Sequence, residues 1–213
     1  MIKTKTITFN GYRFLISNHR VLFWHEKKML ILADLHLGKT SWLRKHGMAV
    51  PEGLHKQDLD RLAQALQYFQ PAVVSIVGDL FHVPVHSETE KFFQWMNAQN
   101  VEQWNLIRGN HDKISRNADW PKELRMVEKV EIGAVTMIHH HNHDETYSIS
   151  GHIHPGVHLR TANKQNIKLP CFLVSSTQII LPAFSAFTGL DFSLTQSGKY
   201  DVYALTQQSI LLV

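Results

Sequence analysis

Cysteine is nearly absent. The 213-residue chain has one, Cys171, which excludes an internal disulfide and every zinc module built on cysteine clusters. A reducing, cytoplasmic compartment is the expectation. No apolar run reaches the length of a membrane span. The first residues, Met1-Ile2-Lys3-Thr4-Lys5, lack the apolar core and small-residue cleavage site of a secretory leader. No membrane partner is expected. Linkers, repeats and low-complexity tracts are also missing. The chain therefore reads as a single domain over residues 1–213, long enough for one real core and marginal for two. Charged residues make up only 19%, with a net charge of +4. That balance is compatible with a phosphate-bearing or nucleic-acid partner without establishing one.

Histidine is plentiful. There are 15, and many crowd between positions 82 and 158. With a single cysteine, any metal site must use nitrogen and oxygen donors. Several donors sit where an apolar run stops. Ala72-Val73-Val74-Ser75-Ile76-Val77 ends in Gly78-Asp79, and Met29-Leu30-Ile31-Leu32-Ala33 ends in Asp34-Leu35-His36. Arg108-Gly109-Asn110-His111-Asp112, Ile138-His139-His140-His141 and Ser150-Gly151-His152-Ile153-His154 share the design. Apolar runs of this kind read as buried strands, and open α/β sheets hold their ligands at strand tips. Taken alone, Asp79 fits a helix N-cap better than a ligand. Five such tips together argue for one polyvalent site.

The patterning places these tips on alternating elements. Residues 5–9, 12–16 and 20–25 read as a strand meander and 29–33 as a buried strand. Leu59, Leu62, Ala63, Leu66 and Phe69 form a helical stripe over residues 55–69. Ser87 and Glu90 form a capping box opening a helix to about Ala98, with Phe92, Phe93 and Met96 inward. With strands at 72–77 and 104–107, this is a βαβαβ order with parallel strands. After about residue 120 the pattern turns to strands: 124–131, 134–139, 146–150, 157–160, 169–175, 178–181, 200–205 and 209–212. A second, mostly antiparallel sheet is expected, giving a β-sandwich core with helices outside. Between Gly38 and Gly47 lies a basic stretch with Trp42. It reads either as a phosphate-holding loop or as a solvated surface helix. Lys39, Arg44 and Lys45 are its candidates for substrate contact.

The donors Asp34, His36, Asp79, Asn110, His111, His139, His152 and His154 suit Mn, Fe or Zn and disfavour Ca and Cu(I). A carboxylate has two oxygens, so Asp79 is the natural bridge between two cations. Asp34-x-His36 and His152-x-His154 on extended strand tips put both side chains of each pair on one side. His139 is the best placed of His139, His140, His141 and His143, because it is first after the strand 135–138. Asp112 either orients His111 or caps a turn. His82, His86 and His158 read as loop or supporting histidines, and His19, His25, His46 and His55 as ordinary ones.

The ordered series Asp-x-His, Gly-Asp, Gly-Asn-His-Asp, His139 and Gly-His-x-His resembles the calcineurin-like metallophosphoesterases across residues 34–154. The resemblance implies a four-layer α-β-β-α sandwich of two mixed β-sheets flanked by helices, with a dinuclear centre. It implies that Asp34, His36 and His154 ligate the first metal, and Asn110, His139 and His152 the second. Asp79 then bridges, and His111 assists the leaving group. Leu32 to Lys39, Arg44, Gly47, Pro51, Gly78 to His82, Gly151 to Pro155, Cys171-Phe172, Leu181 to Phe184 and Phe187-Thr188-Gly189 carry a narrower resemblance to the ligase-associated DNA-damage-response endonucleases. That resemblance implies a Mn-dependent phosphodiesterase acting on DNA with DNA-repair partners. Ser185 stands where a glycine is expected. Two rivals are a phosphatase or phosphodiesterase of small nucleotides, and a binding module with a vestigial site. The complete donor set speaks against the second.

Overall fold

The computed structural model describes residues 1–51, 53–82, 86–112, 121–140, 147–160 and 164–213. Two sheets pack face to face. The first holds β1 (Thr4–Phe9), β2 (Tyr12–Ser17), β3 (Leu22–Trp24), β4 (Met29–Leu32), β5 (Val73–Val77), β6 (Gln103–Ile107) and β7 (Leu124–Val127), in that spatial order. β1 to β4 form an antiparallel meander, while β4, β5, β6 and β7 run parallel. The helices α1 (Lys39–Lys45), α2 (Leu54–Phe69) and α3 (His86–Asn97) lie in the segments between β4 and β6.

The second sheet contains β8 (Val130–Ile132), β9 (Val135–Met137), β10 (Ser148–Ser150), β12 (Asn166–Val174), β13 (Gln178–Ile180), β14 (Asp201–Leu205) and β15 (Ile210–Leu212). Its order is β15-β14-β12-β13-β10-β9-β8, and β11 (Gly156–Arg160) pairs with β12 beside that path. β10 runs parallel to both β9 and β13, and the other pairs are antiparallel. Both sheets are therefore mixed.

Strand alternation sorts the apolar residues into layers. On β4, Met29 and Ile31 face the second sheet, where they meet a core that includes Trp24, Val77, Met137, Ile149, Phe172 and Ile179. Leu30 and Leu32 face the other way, onto Leu62, Ala65 and Leu66 of α2 and Phe92 and Met96 of α3. Each such buried side chain contributes about 1.5–3 kcal/mol relative to an exposed one. On the far face of the second sheet, Cys171, Leu173, Ile180, Val202 and Ala204 pack under β11 residue Val157 and partly buried Leu194 and Tyr200.

One expectation changes, one open alternative is resolved and one lies outside the described residues. The single strand expected over 124–131 splits, with β7 joining the first sheet and β8 the second. Its sequence is apolar enough for one strand, but the chain crosses between sheets near Glu128 and Lys129. The basic stretch after Gly38 is a helix, α1, not an open loop. The side chain of Ser87, and so the proposed capping box, lies outside the described residues, as do the side chains of His55 and His86. Among the described residues, no helix is long and apolar enough to cross a membrane.

Candidate metal centre

The parallel strands β4 and β5 end side by side, and their tips stay paired. Asp34 N–H donates to Gly78 O (3.1 Å), His36 N–H to Asp79 O (2.9 Å) and Leu37 N–H to Leu80 O (2.8 Å). The tip of β10 joins them from the second sheet through His152 N–H, which donates to Asp34 Oδ2 at 3.0 Å. Thus both sheets deliver donors to one point.

The local backbone is not extended at that point. Asp34, His36, Asp79, His152 and His154 all have positive φ, between 48° and 69°. Asp34 and His36 therefore meet through left-handed turns, not through the strand pleat expected from their spacing, while His152 and His154, expected on one side, fall in different donor clusters. Non-glycine residues rarely adopt this conformation, and clusters of it mark functional sites. The approach is also close. A Cβ on Gly78 would lie 1.9 Å from His139 Nδ1, and one on Gly109 2.2 Å from Asp79 Oδ1. Glycine at both positions is a condition for the tips to meet.

Three clusters of donors result: Asp34 with His36 and His154, Asp34 with Asp79 and His139, and His139 with His140 and His152. Within each, the donor atoms lie within 4.8 Å of one another. His154 Nε2 is 3.3 Å from His36 Nε2 and 3.4 Å from Asp34 Oδ1. Asp34 is fully buried, and its Oδ1 has no hydrogen bond among the described residues. An acceptor-only oxygen left so is costly unless a cation faces it.

His139 is buried, and its Nδ1 lies 3.0 Å from the Val77 carbonyl. In the neutral ring that contact requires the proton on Nδ1 and leaves the lone pair on Nε2. Nε2 faces Asn110 Oδ1 at 3.1 Å and Asp79 Oδ2 at 3.5 Å, both acceptors. Three acceptors converging on one spot fit a cation. His140 is exposed, with its ring 4.3 Å from that of His152. His141 and His143 lie outside the described residues.

The electrostatics follow from burial. Burial lowers the His36 pKa to about 3, with Asp79 opposing and His154, Lys39 and His111 adding to the fall. For Asp79, burial acts upward, but His139 and the His111 N–H outweigh it and bring the carboxyl to about 2. Burial acts downward on His139, and Asp79, Asp34 and the Val77 carbonyl reverse the sign, so its pKa is raised. With O and N donors and no sulfur, the set fits Mn, Fe or Zn.

His111 stands beside this centre. Its N–H donates to Asp79 Oδ1 at 2.9 Å, and its ring is 5.6 Å from that of His36. Asp112 accepts from the Gly109 and Phe81 N–H groups, so it caps the turn that carries Asn110. His82 sits where a supporting histidine would: its ring is 5.0 Å from His111 and 5.8 Å from His36. α1 begins three residues after His36 and brings Trp42 to 5.5 Å from His82, with the Trp42 ring in turn 4.0 Å from that of His46 and tilted by 32°. The signal for that pair was the i, i+4 spacing of Trp42 and His46 on a helix.

Of the basic candidates, Lys39 is half-buried and its pKa is lowered by burial against the pull of Asp34 and Asp79. Arg44 is exposed and contacts Ser41 Oγ at 3.3 Å. Lys45 is exposed as well. The structure thus sets Lys39 beside the carboxylates, and gives Arg44 and Lys45 no described contact there. His19 and His158 are structural: His19 bonds Asn18 and Gln64, and His158 stacks on Phe192.

This chain belongs to the calcineurin-like phosphoesterases, whose family model matches residues 27–170, and it is a metal-dependent phosphoester hydrolase. Along its whole length it is similar to a Pseudomonas putida protein whose crystal structure bears the description nuclease MPE. The TM-score is 0.81 at 25% identity, covering 99% of this chain and 100% of that one. That likeness accords with the narrower resemblance to ligase-associated endonucleases. No curated protein sequence matches the chain significantly.

Proposed function

We propose that the chain is a dinuclear-metal phosphodiesterase that cleaves DNA as an endonuclease in repair. The observation that carries this reading is the convergence of Asp34, Asp79 and His139 between two outer groups of donors. The choice of nucleic acid draws on the full-length likeness to a nuclease. A net charge of +4 and Lys39 beside the carboxylates agree with an anionic substrate.

In this reading Asp34, His36 and His154 hold one cation, Asn110, His139 and His152 the other, and Asp79 bridges. Mn2+ is the ion of choice, with Fe or Zn as substitutes. Such a pair of cations, when bound, supplies Lewis-acid charge to the phosphate oxygens and a water nucleophile at neutral pH. The protein's own part is orientation and proton handling. Val77 O fixes the His139 tautomer. The His111 N–H holds Asp79, and the His111 ring gives a proton to the departing alkoxide. Lys39, together with Arg44 and Lys45 on the outer turn of α1, steers the phosphate backbone. Water and one diester linkage yield one alcohol and one phosphomonoester. A reducing cytoplasm and DNA-repair proteins are the setting proposed.

The test is hydrolysis of bis(p-nitrophenyl) phosphate, a nucleoside monophosphate and single-stranded DNA, each with Mn2+ and with chelator. Chelator-sensitive cleavage of the DNA supports the reading. Cleavage of the small esters alone points instead to a nucleotide phosphoesterase.

A further inference from the structure

The segment Ala183–Ala186 lies against the strand end that carries Asp34. Ala33 and Ala183 form an isolated parallel bridge. Phe184 N–H donates to Ala33 O at 2.7 Å and Ser185 N–H to Asp34 O at 3.2 Å. The carbonyls of this segment point away from β4 and meet two guanidiniums. Arg20 Nη1 donates to Ser185 O at 2.7 Å and, at 3.3 and 3.4 Å, to Ala183 O and Phe184 O. Arg61 Nη2 donates to Phe184 O and to Asp58 Oδ1, and its guanidinium covers the Phe184 ring at 4.5 Å. Asp58, 2% exposed, accepts from Ala186 N–H at 3.2 Å.

Four backbone polar groups of one loop, the Ala183, Phe184 and Ser185 carbonyls and the Ala186 N–H, are thus bound by three charged side chains from two distant elements. Arg20 sits in the turn between β2 and β3, itself at φ 61°, and Asp58 and Arg61 are three apart on α2. Burial, with Arg61 beside it, lowers Arg20 only to about 10, so its guanidinium stays charged at neutral pH. Two cations and one carboxylate in a buried place need these carbonyls as partners. The carbonyls in turn are fixed by them. The other side of the loop holds the backbone of Asp34, which stays at φ 58° with a buried Oδ1 that has no hydrogen bond among the described residues. A left-handed residue persists only where its surroundings over-determine it.

We infer that Arg20, Arg61 and Asp58 are positioning residues for the first metal site, acting through the 183–186 loop on the backbone of Asp34. This rests on the proposed role of Asp34 as a ligand. Neither arginine touches the donor cluster in the described contacts, so their effect runs through Phe184 and Ser185. The same arrangement accounts for the Leu181 to Thr188 stretch, which contributes no donor of its own.

The test uses Arg61→Lys and Arg20→Lys, which keep the charge but lose the fork of donors. A cavity of about 880 Å3 adjoins both residues, giving room for water to replace lost contacts. Mn2+ binding to the full-length protein is followed by calorimetry, beside circular dichroism and melting of the metal-free form. One of the two Mn2+ affinities is expected to fall about tenfold, the range seen for supporting residues of metal sites. The other should stay within twofold, and excess Mn2+ should restore activity. Two unchanged affinities overturn the inference, as does a joint loss of both that tracks a lower melting temperature. If the lysine variants fail to fold, hydrogen exchange of the wild type decides. Phe184 and Ser185 amides should be protected equally with and without Mn2+, and fast exchange in the metal-free protein overturns the inference. A wild type that binds no Mn2+ contradicts the metal reading itself, and the inference with it.

Discussion

The backbone N–H of His111 donates to Asp79 Oδ1 at 2.9 Å. The residue proposed to protonate the leaving group is therefore tied by main chain to the carboxylate proposed to bridge the cations. Because the tie uses the amide and not the ring, the imidazole can be removed without removing the tie.

His111→Ala is accordingly expected to bind Mn2+ as the wild type does and to cleave DNA roughly a hundred- to ten-thousand-fold more slowly. The loss should shrink on bis(p-nitrophenyl) phosphate, whose leaving group needs little protonation. Parallel rate and metal measurements on both substrates check this. A loss of Mn2+ would make His111 a ligand instead.

Gly109→Ala probes the close approach of the tips. Its Cβ would fall 2.2 Å from Asp79 Oδ1 and 2.4 Å from Asp79 N, and the backbone nitrogen cannot swing aside. The variant is expected to lose about 3 kcal/mol by denaturant unfolding, the upper end for overpacking, and to lose Mn2+. Normal stability with full metal content would show that the tips yield more easily than the contacts indicate.

Cys171 offers a pH test remote from the metal donors. Burial raises its thiol pKa from 9.0 to about 12. The folded protein keeps the proton where the unfolded chain loses it, so stability falls as pH rises from 9 towards 12. The slope from this group approaches about 1.4 kcal/mol per pH unit. Well below pH 9, where the unfolded thiol is also protonated, it contributes almost no slope. Unfolding of the wild type and Cys171→Ala across this range should differ by that slope, and iodoacetamide at pH 8 should leave the folded thiol intact. Rapid alkylation of the folded protein would contradict the burial.

Much of the fold was legible because its strands are strongly apolar and end at polar tips. β4, β5 and β6 lie where the runs before Asp34, Gly78 and Arg108 indicated. The helices α2 and α3 follow from their stripes. Other features depend on contacts that a local pattern does not contain. The division of 124–131 between two sheets is decided by partners, β6 for Leu124–Val127 and β9 for Val130–Ile132. Likewise, Asp34 and His36 do come together, but not for the reason their spacing suggested. Their convergence comes from positive φ, which only the paired tips impose. The part played by His82 was open because its ring position is set by Trp42 and His111, which are distant in sequence. Asp112 was settled by two backbone N–H groups, one of them 31 residues away.

The central claim is that Asp79 joins two cations in one centre. Electron paramagnetic resonance of the Mn2+-loaded protein tests it most directly, with metal content measured on the same sample. The account expects two Mn2+ per chain and an exchange-coupled spectrum in the wild type, and loss of the coupling in Asp79→Asn with the fold retained. One Mn2+ per chain, or two that are uncoupled and indifferent to Asp79→Asn, would contradict it.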